Sequence, residues 1–378
     1  MENKKLLIIG LGVLGSNILD MISRTNMKHK IIFGGKDPEK MKERVNLAEL
    51  VANKLGYSPK LSVCKVDLDN IEETIETLDR LKPDIIFNAT SLMSYWVPTT
   101  LPKEDFAKLY YAYTGWQTPT HLTLTYKLMK AVKLSSLDIK VINASYPDVV
   151  NPALRELDLS PHVGIGNVSN IVPTIKKAIA LATSFNITDI EVFITAHHHF
   201  SYKLPNVGNS ERLPHHIAVT HKGKDITSQI DLDTIYSIIP EKLKRTRGLV
   251  GMSMTAASSM NIILEFLNET GRSVHAPGVN GLPGGYPIRI TQGEMKVDFK
   301  NNLTLERALE INQLGQVLDG VKEIKDGRVV FTEREMEVVK QILGYECHSM
   351  KIEECEYWAK ETLSKMDEKQ RSRKLQLI

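Results

Sequence analysis

Cysteine is scarce: Cys64, Cys347 and Cys355 are the only three in 378 residues. They are too few and too scattered for a disulfide framework, and none belongs to a zinc-type CxxC pair. Such usage fits a reducing compartment, so the expected location is cytoplasmic. Charge of one sign is also missing. The 48 Lys and Arg nearly balance the 45 Asp and Glu, the net charge is +3, and no long basic block occurs. This weighs against a nucleic-acid partner. No run of 18 uninterrupted apolar residues exists, so no transmembrane helix and no membrane partner are expected. The opening "MENKKLLIIGLGVLGSNILDMIS" imitates a signal peptide, but three glycines interrupt it and no small-residue cleavage site follows. Internal repeats and low-complexity segments are absent as well. A length of 378 residues is enough for two domains, and 42% hydrophobic with 25% charged residues is ordinary for a globular chain.

The opening stretch carries the clearest pattern. Residues 6–9 form a short apolar run, as in a parallel strand covered on both faces. Leu14, Ile18 and Ile22 then recur at helical spacing. Between them Gly10, Gly12 and Gly15 make GxGxxG. In that motif the first glycine permits a tight turn and the second lets a pyrophosphate approach the backbone. The third lets helix and strand pack closely, and the helix N-terminus faces the phosphates. A strand before and a helix after are the context that gives the motif meaning. Gly10, Leu11, Gly12, Val13, Leu14 and Gly15 are therefore candidate dinucleotide contacts.

The next strand, "HKIIFGGKD", ends in Gly34, Gly35 and Lys36. An NAD-binding fold usually places an acid here to bond the ribose hydroxyls. Here the first acid is Asp37. Gly35 leaves room for a 2′-phosphate and Lys36 could neutralise it, so NADP is the expected cofactor. NAD, held through Asp37, is the second choice. "LSVCKVD" reads as a third strand, "IEETIETLDRLK" as a helix and "PDIIFNATS" as a fourth strand ending in Asn88, Ala89 and Thr90. Ligands of open parallel sheets bind beyond the carboxyl ends of the strands, and small polar residues there suit a backbone close to cofactor.

A long segment with prolines follows, "SLMSYWVPTTLPKEDFAKLYYAYTGWQTPT", read as a loop. Tyr95, Trp96, Tyr111, Tyr113 and Trp116 either line a substrate pocket or pack a satellite core or subunit contact. It contains no arginine. Further on, Ser145-Tyr146-Pro147 ends a fifth strand, Gly164 and Gly166 precede a helix, and "EVFITAHHHFS" reads as a strand carrying His197, His198 and His199.

This order of elements resembles the lactate/malate dehydrogenase superfamily over roughly residues 4–320. There a strand ending in Ser-Asn-Pro precedes a Gly-x-Gly turn and a helix, and a strand with Gly-Glu-His-Gly follows. Ser145 and Pro147 match the first motif, Gly164 and Gly166 the second, and His197 falls on the histidine of the third. Thr255, in the long helix of "GMSMTAASSMNIILEFLNETG", falls near the family's substrate-facing threonine. The resemblance implies a Rossmann doubly wound parallel sheet, about residues 1–147, and a C-terminal α+β domain, residues 148–378. It also implies a nicotinamide cofactor and proton transfer by His197. Tyr146 replaces the motif's asparagine. Asn170 stands where the family has the aspartate that orients the histidine, and Pro173 where it has the carboxylate-clamping arginine. The missing arginine argues against a simple 2-oxo acid. "GIGNV" also resembles the Gly-Leu-Cys-Asn-Val turn of the family 4 glycosidases, which use NAD and a metal, but Gly166 replaces the cysteine ligand.

An imidazole titrates near neutrality and can pass a proton at physiological pH. On an extended strand His197 and His199 would share one face and His198 the other. His197 is accordingly the expected general acid–base, oriented by Asn170. Tyr95, Trp96, Tyr146, His199 and Thr255 are expected around the substrate, and Ser145 beside the cofactor. No metal site is expected. The resulting reading is an NAD(P)-dependent dehydrogenase or reductase of a small carbonyl/alcohol pair, forming a dimer or tetramer. The alternatives are an NAD-assisted, possibly metal-dependent hydrolase or lyase and a non-catalytic cofactor sensor. The charged segment from "EECEYWAKET" onward is read as a helix with a solvated or subunit-packing face.

Overall fold

An apolar run such as residues 6–9 is stable in water only when covered on both faces. In the computed structural model, which describes residues 3–112, 114–246 and 248–376, it forms the buried centre of a parallel sheet. The chain runs through β1 (Lys5–Ile9), α1 (Val13–Ile22), β2 (Lys30–Gly35), α2 (Pro38–Lys54), β3 (Leu61–Lys65), α3 (Ile71–Leu81) and β4 (Ile85–Asn88). It continues through α4 (Lys103–Ala112) and α5 (Thr118–Ser135) to β5 (Lys140–Asn143), α6 (Pro147–Arg155) and β6 (Val163–Gly164). The strand order is β3-β2-β1-β4-β5-β6, with Leu6 level with Ile31 on one side and Ile85 on the other. The order reverses at β1, which opens a crevice above the carboxyl ends of β1 and β4.

Next come α7 (Val168–Thr183), β7 (Ile190–Ala196), α8 (His198–Val207), β8 (His215–His221), β9 (Lys224–Asp225) and α9 (Leu232–Lys242). Then follow α10 (Gly248–Asn268), β10 (Val274–Pro277), β11 (Gly285–Thr291), β12 (Glu294–Val297) and α11 (Leu305–Leu318). The strands form an antiparallel sheet of order β10-β11-β7-β8-β9, with β12 against β11. A three-stranded sheet closes the chain: β13 (Val321–Lys325), β14 (Arg328–Phe331) and β15 (Ser349–Lys351), with α12 (Glu333–Leu343) and α13 (Cys355–Gln376). The fold is thus a Rossmann-type parallel sheet joined to an α+β part with its own antiparallel sheet.

Three expectations are revised. The segment after β4 is not a plain loop: it holds a 3-10 turn, Val97–Thr100, and the helix α4. The histidine triplet does not continue a strand, because β7 stops at Ala196 and α8 starts at His198. And α13 is not merely a solvated helix. It packs on α5, and its Ala359, Thr362 and Met366 are buried. Residues of β13–β15, α12 and α13 share one apolar core with Leu7, Ile9, Leu122 and Leu128 of the Rossmann half. At the expected boundary, residue 147 opens α6, and β6 beyond it still belongs to the parallel sheet. Among the described residues α10 alone is long and apolar enough to cross a membrane; here it packs on α1, with Ala256, Ile262 and Ile263 fully buried.

Candidate active site

The glycine turn is shaped by sterics. Gly10 has φ +100°, and a Cβ there would lie 3.0 Å from the Ala89 carbonyl oxygen. At Gly15 a Cβ would fall 2.1 Å from the Gly10 carbonyl oxygen, so α1 rests on the turn at a distance only glycine allows. Gly12 differs: a Cβ there would meet nothing within 4 Å. It precedes α1, which has no side-chain cap and no acid in its first turn. The first amides of α1 thus remain available to an anion. Leu11 packs against the core beneath the turn.

The turn opens on a cleft of about 880 Å³. Many of the expected site residues meet there. Gly12, Val13, Leu14, Ala89, Thr90, Tyr95, Trp96, Ser145, Tyr146, Asn170 and Thr255 all line it. Asn88 sits below, fully buried; its side-chain oxygen accepts from Thr90 N and Oγ1, fixing the strand end. Tyr113, and the side chain of Tyr111, lie outside the described residues. Gly35 and Lys36 lie off the cleft wall. Lys36 is 3.1 Å from Asp67 and 2.6 Å from Asp69, while Asp37 accepts from Lys40 N to cap α2.

The histidines are reassigned by the bend at 197. His197 is completely buried, both its ring nitrogens lack a hydrogen-bond partner, and it does not reach the cleft. A Cβ on Gly315 would lie 2.4 Å from that of His197, so this imidazole is packed tightly against α11. His199 is also buried away from the cleft. His198 is the one that faces it. Its backbone N–H donates to Asp148 Oδ1 at 3.0 Å, a cap supplied from α6. Its Nδ1 lies 2.8 Å from Asp319 Oδ2. The same oxygen accepts from the Tyr146 hydroxyl at 2.9 Å and has the Thr114 hydroxyl at 3.1 Å. Asn170 does not orient a histidine: its amide donates to Thr255 Oγ1 at 3.2 Å and accepts from Ser258 Oγ at 2.6 Å.

Burial works against charge on His198, but the Asp319 carboxylate outweighs it and raises the imidazole above its ordinary pKa. Burial would likewise raise Asp319, yet the charge and hydrogen bond of His198 carry it down to about 2. An ionised Asp319 can only accept, so Nδ1 of His198 carries the proton between them and Nε2 is the nitrogen left for the cleft. Burial lowers His197 and takes His199 down to about 4. Tyr146 is held in the left-handed region at φ 44°, costly for a bulky residue, and this conformation accompanies a ring that spans His121 and His198 at centroid distances of 6.2 and 6.0 Å. His121, held near pKa 4 by burial, has Nδ1 3.0 Å from Ser145 Oγ.

Asp319, His121 and Thr114 escaped the sequence reading. Asp319 follows α11 in "QVLDGVKE", where Asp-Gly signals only a turn. Arg245, between α9 and α10, also lines the cleft and lies 3.4 Å from the Asn170 carbonyl oxygen. Among the described residues no group of three or more His, Cys, Asp or Glu is arranged to hold a metal ion.

Solved structures share this fold. The lactate dehydrogenase of Cryptosporidium parvum, solved with lactic acid and β-nicotinamide adenine dinucleotide, superposes with a TM-score of 0.55 at 17% identity, covering 84% of this chain and 99% of that one. The Eimeria maxima lactate dehydrogenase, solved with NADH and oxamate, gives 0.56 at 14% identity over 84% and 91%. The Cryptosporidium parvum malate dehydrogenase gives 0.55 at 15% over 84% and 99%. The fold is that of the lactate and malate dehydrogenases. No protein-family model and no curated protein matches the sequence.

Proposed function

We propose that this chain is a nicotinamide-dependent oxidoreductase of a small carbonyl/alcohol pair in which His198, oriented by Asp319, carries the proton. The observation behind this reading is the 2.8 Å contact of Asp319 with His198, which lines the same cleft that the glycine turn opens on. The residues present fit a dinucleotide: open space at Gly12, uncapped first-turn amides of α1, and small residues at Ala89 and Thr90. When bound, the nicotinamide supplies or accepts the hydride. His198 Nε2 gives its proton to the carbonyl oxygen as that oxygen becomes an alkoxide, and takes it from the alcohol in the reverse direction. Asp319 fixes the tautomer and stabilises the imidazolium; Tyr146 and Thr114 hold Asp319 in place.

The proposed cofactor is NADP. Asp37, the acid that would bind the ribose of NAD, caps α2 instead, and no other acid precedes it at the end of β2. The pairing of Lys36 with Asp67 and Asp69 limits the charge it can offer a 2′-phosphate. A preference of about tenfold over NAD is therefore expected. A homo-oligomer belongs to the same proposal, supported by exposed Leu47 and Leu50 on α2 and Leu249 and Val250 on α10. The test of the catalytic assignment is His198→Gln against His197→Gln. The first is expected to lower kcat by about 10²–10⁴-fold with nucleotide affinity retained. The second should keep at least about a tenth of the wild-type rate, within the range of a packing change. The opposite ranking would return the role to His197.

A further inference from the structure

The substrate end of the cleft has a definite chemistry. From His198 outward its wall is a succession of aromatic rings. His198 and Tyr202 lie one turn apart on α8, with centroids 5.8 Å apart. Tyr202 meets Tyr110 at 4.6 Å, and Tyr110 meets Phe106, one turn before it on α4, at 5.8 Å. Two helices thus each offer an i, i+4 pair to the same space. Tyr202, Tyr110 and Phe106 are half-buried and all three line the cleft, as do Trp96 and Leu109. The rings therefore keep apolar surface toward the cavity after packing on one another. The charge pattern is equally marked. Among the described residues that line the cleft there is no aspartate or glutamate, and Arg245 is the one permanently charged side chain. Asp319 stands behind His198 with 1% of its side chain exposed.

Resting on the function proposed above, we infer that the substrate carries an aromatic or similarly flat apolar group next to its reacting carbon, and bears no positive charge. With the reacting oxygen at His198, that group lies along Tyr202, Tyr110 and Phe106. An aromatic face meeting these ring edges and faces gains burial and stacking together. A cationic group finds no carboxylate in the wall and meets Arg245 instead. A methyl in the same place leaves the rings wet.

The full chain, saturated with NADP or, failing that, NAD, is titrated calorimetrically with three probes: 2-propanol, 1-phenylethanol and 1-phenylethylamine. Nucleotide binding is measured first and separately. 1-Phenylethanol is expected to bind about 100-fold more tightly than 2-propanol, from burial of one phenyl ring. The ammonium probe should bind at least about tenfold more weakly than the alcohol of the same shape. Tyr202→Ala and Phe106→Ala should each erode the phenyl advantage. If the nucleotide binds but the phenyl and methyl probes bind equally, or the ammonium binds as well as the alcohol, the inference fails and the cofactor reading stands. If neither nucleotide binds, the function proposed above fails and this inference with it. The wild-type probe ratios decide the matter even if a variant does not fold.

Discussion

Single residues divide the glycine turn into two jobs. Gly15 is structural: its missing Cβ is what lets α1 rest on Gly10. Gly15→Ala is expected to destabilise the protein by about 3 kcal/mol or more, the scale of severe overpacking, visible as a lowered denaturation midpoint. Gly12 faces open space. Gly12→Ala should shift stability by no more than about 1 kcal/mol while weakening nucleotide binding at least about tenfold by filling the path of the diphosphate. Equal effects of the two substitutions would contradict this division. Asp319 gives a second residue-level expectation. It raises the pKa of His198, and carbonyl reduction needs the protonated imidazole, so the rate falls as pH climbs through that pKa. Asp319→Asn removes the raising influence, and the fall in a pH–rate profile should move to lower pH; an unmoved profile would show that another group titrates. The glycine turn and the close packing it needs at Gly10 and Gly15 could be read from spacing alone. The partner of His198 could not, because Asp319 lies 121 residues away and reaches it only through the packing of α11 on α8.

At the level of elements, the principal difference between sequence and structure is one bend. "ITAHHHF" satisfies strand propensity, and nothing local ends the strand at Ala196. The stop comes from Asp148, whose carboxylate takes the His198 N–H and is itself held by the Asn167 side-chain amide. A cap donated from α6 leaves no mark near the helix it starts, and it changes which imidazole faces the cleft. The helix α4 was hidden for a related reason: its aromatics belong to both a cleft wall and a helix face, and the surrounding prolines suggest a loop. Glu335 of α12 ties the C-terminal unit to this region, accepting from Trp116 N at 2.9 Å while fully buried. Burial raises its pKa well above the ordinary value, so the folded protein keeps its proton to higher pH than the unfolded chain does. Its stabilising share is complete below about pH 4.5 and diminishes as pH rises from there toward the folded pKa. Glu335→Gln keeps the acceptor and cannot ionise. Thermal denaturation from pH 5 to 9 should show the variant gaining on wild type as pH rises; a constant difference would mean that Glu335 is not the titrating group.

For the whole molecule, the sequence order gave the parallel sheet, the second sheet and their succession, because strand and helix periods are local signals. It did not place the last sixty residues. Their charged helix looked solvated, yet α13 lies on α5 and the closing sheet completes the core under the cleft. The cleft is lined by residues from Gly12 to Thr255, and the C-terminal part bears on it from behind, through Asp319 against His198. The most direct test of the central claim is a fluorescence titration of the full chain with NADPH and NADH. The account predicts saturable binding with a dissociation constant below about 100 μM for NADPH, weaker binding of NADH, and unchanged affinity in His198→Gln. Absence of saturable binding of either nucleotide up to millimolar concentration would contradict it.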